Sequence, residues 1–280
     1  MAANILDGKS LAAQIRARVR DQVALLAQRG IHPGLAVVLA GDDAASRVYV
    51  RNKVRACEET GVGSRLFEYP ATVAQEELLD RVAALNADPA VHGILVQLPL
   101  PRHVDSPKVL EAVSPAKDVD GFQAANLGAL LAGARGMVPC TPAGVMRLIE
   151  HAGVALAGRR AVVIGRSTIV GKPLALLLLQ KDATVTICHS KTKDLDLISK
   201  QADILVAAIG RARYVTASMV KPGACVIDVG VNRLADGSLA GDVDFEAVKT
   251  VAGWITPVPG GVGPMTIAML LENCLTAATR

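Results

Sequence analysis

The feature that most constrains this chain is an alternation of short apolar runs with amphipathic helical stretches, punctuated by glycine, proline and aspartate. Leu11, Ile15, Val19, Val23 and Leu26 recur at helical spacing, so residues 10–28 read as a helix capped near Ser10 and ended by Gly30 and Pro33. A buried strand at 35–39 follows, and Gly41-Asp42-Asp43 turns into a second helix that runs to about Thr60 and closes at Gly61. A strand near 65–69 leads to a helix with Thr72 as N-cap and Gln75 three residues on, the spacing of a capping box. The strand at 93–97 runs into the stiff segment Leu98-Pro99-Leu100-Pro101.

From about Pro139 the pattern restarts. Thr141-Pro142 has N-cap and N1 chemistry for a helix reaching about His151. Strand 160–164, a glycine-containing turn, helix 172–181 and strand 184–188 come next, with further strands at 204–208 and 224–229. A polar stretch at 232–244 holds the turn signal Asp236-Gly237, and 264–278 reads as a closing amphipathic helix. Such alternation specifies an α/β fold with a doubly wound parallel sheet. At ~150 residues per domain, 280 residues make about two domains.

Composition narrows the function classes. Hydrophobic residues make up 51%, ample for buried cores, and three Phe, three Tyr and one Trp leave those cores aliphatic. Seven aromatics are too few for the stacking platforms that bind single-stranded nucleic acid. A net charge of +4, spread along the chain, suits an anionic small ligand and gives no long basic run for nucleic acid. Purely apolar stretches such as 174–179 fall far short of the ~18 residues that span a bilayer, and the N-terminus lacks an apolar signal core. Cys57, Cys140, Cys188, Cys225 and Cys274 are scattered without CxxC pairs, which points to buried, reduced thiols and a cytoplasmic protein. His32, His92, His103, His151 and His189 show no metal-ligand spacing, so no metal is expected.

Four segments carry candidate chemistry. Val163-Ile164-Gly165-Arg166-Ser167-Thr168-Ile169-Val170-Gly171-Lys172-Pro173 follows a strand and opens a helix, the context of a phosphate-binding turn. Ser167 stands where GxGxxG has its middle glycine, and an ordinary strand–helix turn would read similarly. The next strand ends Cys188-His189-Ser190-Lys191 without the acid that holds a ribose hydroxyl in NAD-preferring folds. Arg166, Ser190 and Lys191 would instead welcome a 2′-phosphate, which leans the chain towards NADP. Tyr49 and Lys53 share a helical face at i,i+4, where a lysine beside a phenol can do acid–base work or simply snorkel to solvent. Val96-Gln97-Leu98 at a strand end and Lys117-Asp118-Val119-Asp120-Gly121-Phe122 in a loop offer ligand contacts or plain turn chemistry. Pro257-Val258-Pro259-Gly260-Gly261-Val262-Gly263-Pro264 either brings backbone close to a ligand or makes a hard corner, and it is a place where an X-Pro bond can be cis.

Taken in order, GDDAASRVYVRNKVRACEETG, GILVQLPLP, KDVDGF, PCTPAGV, VVIGRSTIVGKPLALLL, CHSKT, IDVGVNR and TPVPGGVGPMT closely resemble the bifunctional 5,10-methylenetetrahydrofolate dehydrogenase/5,10-methenyltetrahydrofolate cyclohydrolase family. The likeness runs from about Leu6 to Ala278 and matches the bacterial two-activity form. Departures are small: Ala44 replaces a frequent Pro, Ala143 a frequent Lys and Val231 a usual Ile.

The resemblance implies a folate-binding α/β domain over residues 1–138, a Rossmann-like NADP domain over 139–263, and a C-terminal helix at 264–280 returning to the first, with the two domains facing across a cleft. By the same resemblance Lys53 would be the catalytic lysine, Tyr49 would pack on the folate and order it, Gln97 would tune it, and Asp120 would bind the pterin. Val96 and Leu98 would flank the folate, with Pro259, Gly260, Gly261 and Val262 on its other side. Gly165, Arg166, Ser167 and Ser190 would hold NADP, with Val231 at the nicotinamide end. A homodimer formed through the cofactor domain is implied as well. Two rivals share these motifs: a dehydrogenase lacking the cyclohydrolase step, and a non-catalytic nucleotide-binding protein on the same fold.

Overall fold

A computed structural model describes residues 2–280. The elements run β1 (Asn4–Ile5), α1 (Gly8–Ala27), β2 (Gly34–Ala40), α2 (Ala44–Thr60), β3 (Gly63–Tyr69), α3 (Gln75–Ala87), β4 (Gly93–Val96), α4 (Ser106–Glu111), α5 (Ala124–Leu131) and α6 (Cys140–His151). They continue with β5 (Arg160–Ile164), α7 (Gly171–Leu179), β6 (Thr184–Cys188), α8 (Leu195–Ser199), β7 (Ile204–Ala207), β8 (Cys225–Asp228), β9 (Asn232–Arg233), β10 (Leu239–Ala240), α9 (Phe245–Val248), β11 (Trp254–Ile255) and α10 (Val262–Ala278). They form two compact units: residues 2–12 with Thr141–Thr266, and Ala13–Cys140 with Ile267–Arg280.

The unit built on Ala13–Cys140 holds a three-stranded parallel sheet in the order β3-β2-β4. Central β2 buries every residue from Leu35 to Ala40. That is why it reads as an unbroken apolar run: a parallel strand covered on both faces has no polar side. Val38, Val96, Leu78, Val82 and Val109 share one aliphatic core here. Gly61, at φ +78°, ends α2 as expected, its N–H turned back to the carbonyls of Cys57 and Glu58.

Two caps differ from the sequence reading. Asp7, not Ser10, caps α1, with Oδ1 accepting from the Ser10 N–H at 3.0 Å. The capping box at Thr72 does not form, since α3 starts at Gln75 after Ala74 without a side-chain cap bond. Gln75 Oε1 instead accepts from the Asp105 N–H at 2.8 Å, which ties α3 to the start of α4.

The second unit carries a six-stranded sheet, all parallel, in the order β1-β11-β8-β7-β5-β6. Both neighbours of β5 follow it in the chain, β6 on one edge and β7 on the other, so the winding reverses between β5 and β7. In such sheets ligands bind outside the carboxyl ends of the strands at that reversal. Residues 2–12, which the sequence reading assigns to the folate domain, join this unit because Asn4 pairs with Trp254 and Ile5 with Ile255. A two-residue strand has too little periodicity to reveal its partner. The Asp236-Gly237 signal is the turn of the antiparallel pair β9–β10.

Candidate active site

The first constellation rests on α2 and β4. Asp43 caps α2, its carboxylate accepting from Ser46 N at 2.7 Å, which sets where the helix begins and hence where Tyr49 and Lys53 project. Lys53 is half-buried and its Nζ donates to Gln97 Oε1 at 3.0 Å. The other end of that amide is also fixed, with Gln97 Nε2 donating to the Leu98 carbonyl at 2.7 Å. Ser46 Oγ reaches the same carbonyl at 3.4 Å. Tyr49 lies one turn before Lys53 and is 38% exposed, with enough packing to raise its phenol above the usual range. Val96 belongs to the core at 3% exposed, whereas Leu98 is half-buried and only packs against that core.

Asp120 comes from a loop held by a residue the sequence reading quoted but did not single out. The buried Asp118 carboxylate accepts from Gly121 N at 3.0 Å, Gln123 N at 2.8 Å and Asn126 Nδ2 at 2.9 Å. Asn126 in turn accepts from Met137 N at 3.0 Å. Asn273 of α10 donates to the carbonyls of Val119 at 2.8 Å and Val138 at 2.9 Å, and the Cys140 thiol reaches Val119 O at 3.1 Å. The Asp120 carboxyl is pushed up to about 6 by burial above all; the Lys53 ammonium draws it down and Asp118 draws it up. A lysine and a carboxyl that feel each other's charge thus lie beside a glutamine that orients the lysine. Asp118, Asn126, Asn273 and Cys140 have no local signal for this task, because their partners are chosen by tertiary contact.

The second constellation is at the carboxyl ends of β5 and β6. Gly165 has φ +129°, and a Cβ there would strike the Ala208 carbonyl at the end of β7, so only glycine lets these two strand ends approach. Ser167 Oγ accepts from Val170 N at 3.1 Å and Gly171 N at 3.3 Å, drawing the turn tightly onto the start of α7. Arg166 and Ser190 are both exposed, and Arg166 makes no ion pair among the described residues. The turn at 189–192 is shaped by His189 N donating to Thr192 Oγ1 at 2.8 Å. A glycine-lined turn at the sheet's reversal, with a cation and a hydroxyl at its rim and no acid, fits a dinucleotide bearing a 2′-phosphate. Val231, following β8, is 44% exposed.

Pro259, Gly260, Gly261 and Val262 belong to the same unit as the Gly165 turn, and the Val258–Pro259 bond is cis, as is Leu98–Pro99. The loop is braced by Lys9 N donating to Gly260 O at 2.9 Å. Two histidines hold backbone: His92 Nδ1 accepts from Gly34 N at 3.2 Å, and His103 Nε2 pairs with Val73 O at 2.8 Å. All five cysteines are buried and unpaired as disulfides. Among the described residues no His, Cys, Asp and Glu cluster could hold a metal ion, and no helix is long and apolar enough to cross a membrane.

Comparison with known proteins bears on both constellations. Residues 6–120 match the model of the tetrahydrofolate dehydrogenase/cyclohydrolase catalytic domain, and residues 139–280 match that of its NAD(P)-binding domain. The chain is 63% identical over 280 residues to the bifunctional protein FolD of Paracidovorax citrulli, covering 100% of this chain and 99% of that one. The crystal structure of the bifunctional FolD methylenetetrahydrofolate dehydrogenase/cyclohydrolase of Campylobacter jejuni superposes with a TM-score of 0.97 at 49% identity, over 99% of each chain. The Trypanosoma brucei enzyme, solved with NADP cofactor and an inhibitor, gives a TM-score of 0.97 at 42% identity, over 100% of this chain and 98% of that one.

Proposed function

The chain belongs to the tetrahydrofolate dehydrogenase/cyclohydrolase family, and from that premise we propose that it oxidises 5,10-methylenetetrahydrofolate to the 5,10-methenyl cation with NADP and hydrolyses that cation to 10-formyltetrahydrofolate. The observation that carries the reading is the Lys53 ammonium, oriented by Gln97 and within the field of Asp120. NADP, when bound, supplies the acceptor for the hydride that leaves the bridging methylene carbon.

The residues divide the remaining work. In the first step the protein chiefly aligns, since a hydride donor and acceptor react once held ~3–3.5 Å apart. Gly165, Arg166, Ser167 and Ser190 hold the dinucleotide, and Val231 meets its nicotinamide end. Asp120 accepts hydrogen bonds from the pterin, and Tyr49 packs on the folate while ordering Lys53 one turn away. In the second step water adds to the methenyl carbon and loses a proton; the bond from that carbon to N5 then breaks as N5 gains one. Lys53 handles these protons, and Gln97 keeps its amine aimed.

Two further readings accompany this one. The enzyme works as a homodimer, supported by the unpaired edge of β6, where Ile187 is 39% exposed and neighbouring Leu179 of α7 is 58% exposed. It works in the cytoplasm, where five cysteines remain reduced.

The test is turnover of methylenetetrahydrofolate with NADP, following NADPH and the methenyl species together. NADPH formation with decay of the methenyl signal is expected. NADPH formation with accumulating methenyl folate would leave a dehydrogenase alone, and no NADPH from folded protein would leave a nucleotide-binding protein.

A further inference from the structure

Two aspartates outside both constellations are buried side by side in the nucleotide unit, Asp228 at 2% and Asp242 at 0% exposed. Asp228 ends β8, and its carboxylate accepts from Gly230 N at 3.0 Å and from the N–H groups of Asp242 and Val243, each at 2.9 Å. Asp242 follows β10, and its carboxylate accepts from three successive backbone donors after β7: Ile209 N at 2.7 Å, Gly210 N at 3.0 Å and Arg211 N at 2.8 Å. It accepts also from Asn232 Nδ2 at 2.9 Å. A side chain on Gly230 would strike the Asp242 carboxylate, and one on Gly241 would strike that of Asp228, so both glycines make room for the acids.

Successive N–H groups facing one point form the kind of concavity that binds phosphate or another anion. Here the chain fills that concavity with its own carboxylate. Through it the segment after β7, whose Ala208 carbonyl abuts Gly165, is linked to the segment after β8, which carries Val231. Residues 209–211 and 230–231 belong to no strand, and the ladder of β9 begins only at Asn232. Burial pushes the Asp228 carboxyl up to about 7 despite its three backbone donors, with Asp242 adding to the rise. Two acids buried together break a local rule for stability, and such breaks concentrate where function sets the geometry.

We infer that Asp242, seated on Asp228, is a positioning residue for NADP: it holds the strand-end segments at 209–211 and 230–232 so that the dinucleotide lies at the angle hydride transfer needs. This rests on the proposed dehydrogenase activity. The family's second reaction needs no dinucleotide, so it serves as an internal control on the fold.

The experiment compares the parent enzyme with Asp242→Asn, which turns an amide N–H towards donors, and with Asn232→Ala, which removes the side-chain bonds from the segment bearing Val231 to Asp242 and to the Ala240 carbonyl while leaving both aspartates in place. NADP affinity is measured by calorimetry, the dehydrogenase by NADPH formation and its isotope effect with deuterated methylene folate, and the cyclohydrolase by methenyl decay without nucleotide. Both variants are expected to bind NADP about 10-fold more weakly or worse and to show a larger isotope effect, with methenyl decay within about 2-fold of the parent. Unchanged NADP affinity and isotope effect in Asn232→Ala would overturn the inference. Parallel loss of both activities in that variant would overturn it too, since the network would then support the fold at large. Should Asp242→Asn fail to fold, Asn232→Ala decides alone. A parent enzyme that binds no NADP would defeat the functional reading itself, a result distinct from either.

Discussion

Lys53 and Gln97 lie 44 residues apart in sequence, yet the amine of one donates to the amide oxygen of the other at 3.0 Å. The glutamine has no freedom to do otherwise, because its nitrogen is spent on the Leu98 carbonyl at 2.7 Å. Its oxygen must therefore face the lysine. An ammonium so held loses rotamers before substrate arrives, which is the preorganisation a proton-transfer group requires.

Lys53→Met keeps much of the apolar stem and removes the amine. Hydride transfer draws on alignment, whereas hydrolysis needs protons moved at two atoms. The cyclohydrolase is expected to fall on the order of 10²–10⁴-fold, the dehydrogenase far less, and NADP affinity to stay at the parent value. Single-turnover decay of methenyltetrahydrofolate checks this, and a parent-like rate would remove Lys53 from the proton path.

Asp120 links pH to stability and, on the proposed reading, to function. Its carboxyl stands at about 6 in the fold against 3.8 unfolded, so the folded state binds its proton more tightly. The stabilisation this brings is complete below the unfolded value and is lost as pH rises through about 6. At pH 8 the desolvated carboxylate costs the free protein on the order of 3 kcal/mol. Asp120→Asn cannot ionise, and its stability advantage over the parent is expected to grow between pH 4 and 8 in denaturant titrations. Folate turnover should behave oppositely: the parent's kcat/KM falls below about pH 6 as the acceptor is protonated, and the variant loses that acid limb together with most of its activity. An advantage independent of pH would mean that the carboxyl is not perturbed.

Most strands were legible in the chain because each is a short run rich in apolar and β-branched residues between turn residues; β5 and β6 start and stop where the pattern does. Tertiary pairing decided the rest. Gln75 serves the loop before α4, where a capping box was expected, and β1 finds β11 across 250 residues (Asn4 to Trp254). The two constellations divide the same way. Lys53, Gln97, Asp120 and the Gly165 turn stand in motifs, while the residues that hold them, Asp118, Asn126 and Asn273, carry no mark until the fold gathers their partners.

The open edge of β6 makes the dimer testable. Ile187→Lys places a charge on an exposed apolar position that no other strand covers. The parent is expected to elute with the mass of two chains and the variant with that of one in light scattering. A variant that stays dimeric would place the interface elsewhere.

On the proposed reading, cofactor choice turns on Arg166. It follows Gly165 directly and is exposed at the rim of the turn, while β6 ends at Cys188 and the turn after it carries Ser190 and no acid to engage a ribose 2′-hydroxyl. A 2′-phosphate brings a nearly dianionic group to a guanidinium that can meet it with two donors, and charge-assisted bonds of this kind are each worth about 1.5–3 kcal/mol. Arg166→Ala is therefore expected to weaken NADP by about 10- to 100-fold and to leave NAD, which lacks that phosphate, near its parent affinity. The consequence is a change in ratio as well as a loss: the discrimination between the cofactors should shrink by the same factor as NADP binding. Raised ionic strength should narrow the gap between parent and variant, since an exposed ion pair is screened by salt. Calorimetric titration of both nucleotides into both proteins at two salt concentrations reads all of this. Equal weakening of NAD and NADP would place the Arg166 guanidinium on the shared pyrophosphate, and the preference for NADP would then rest on Ser190 and its neighbours.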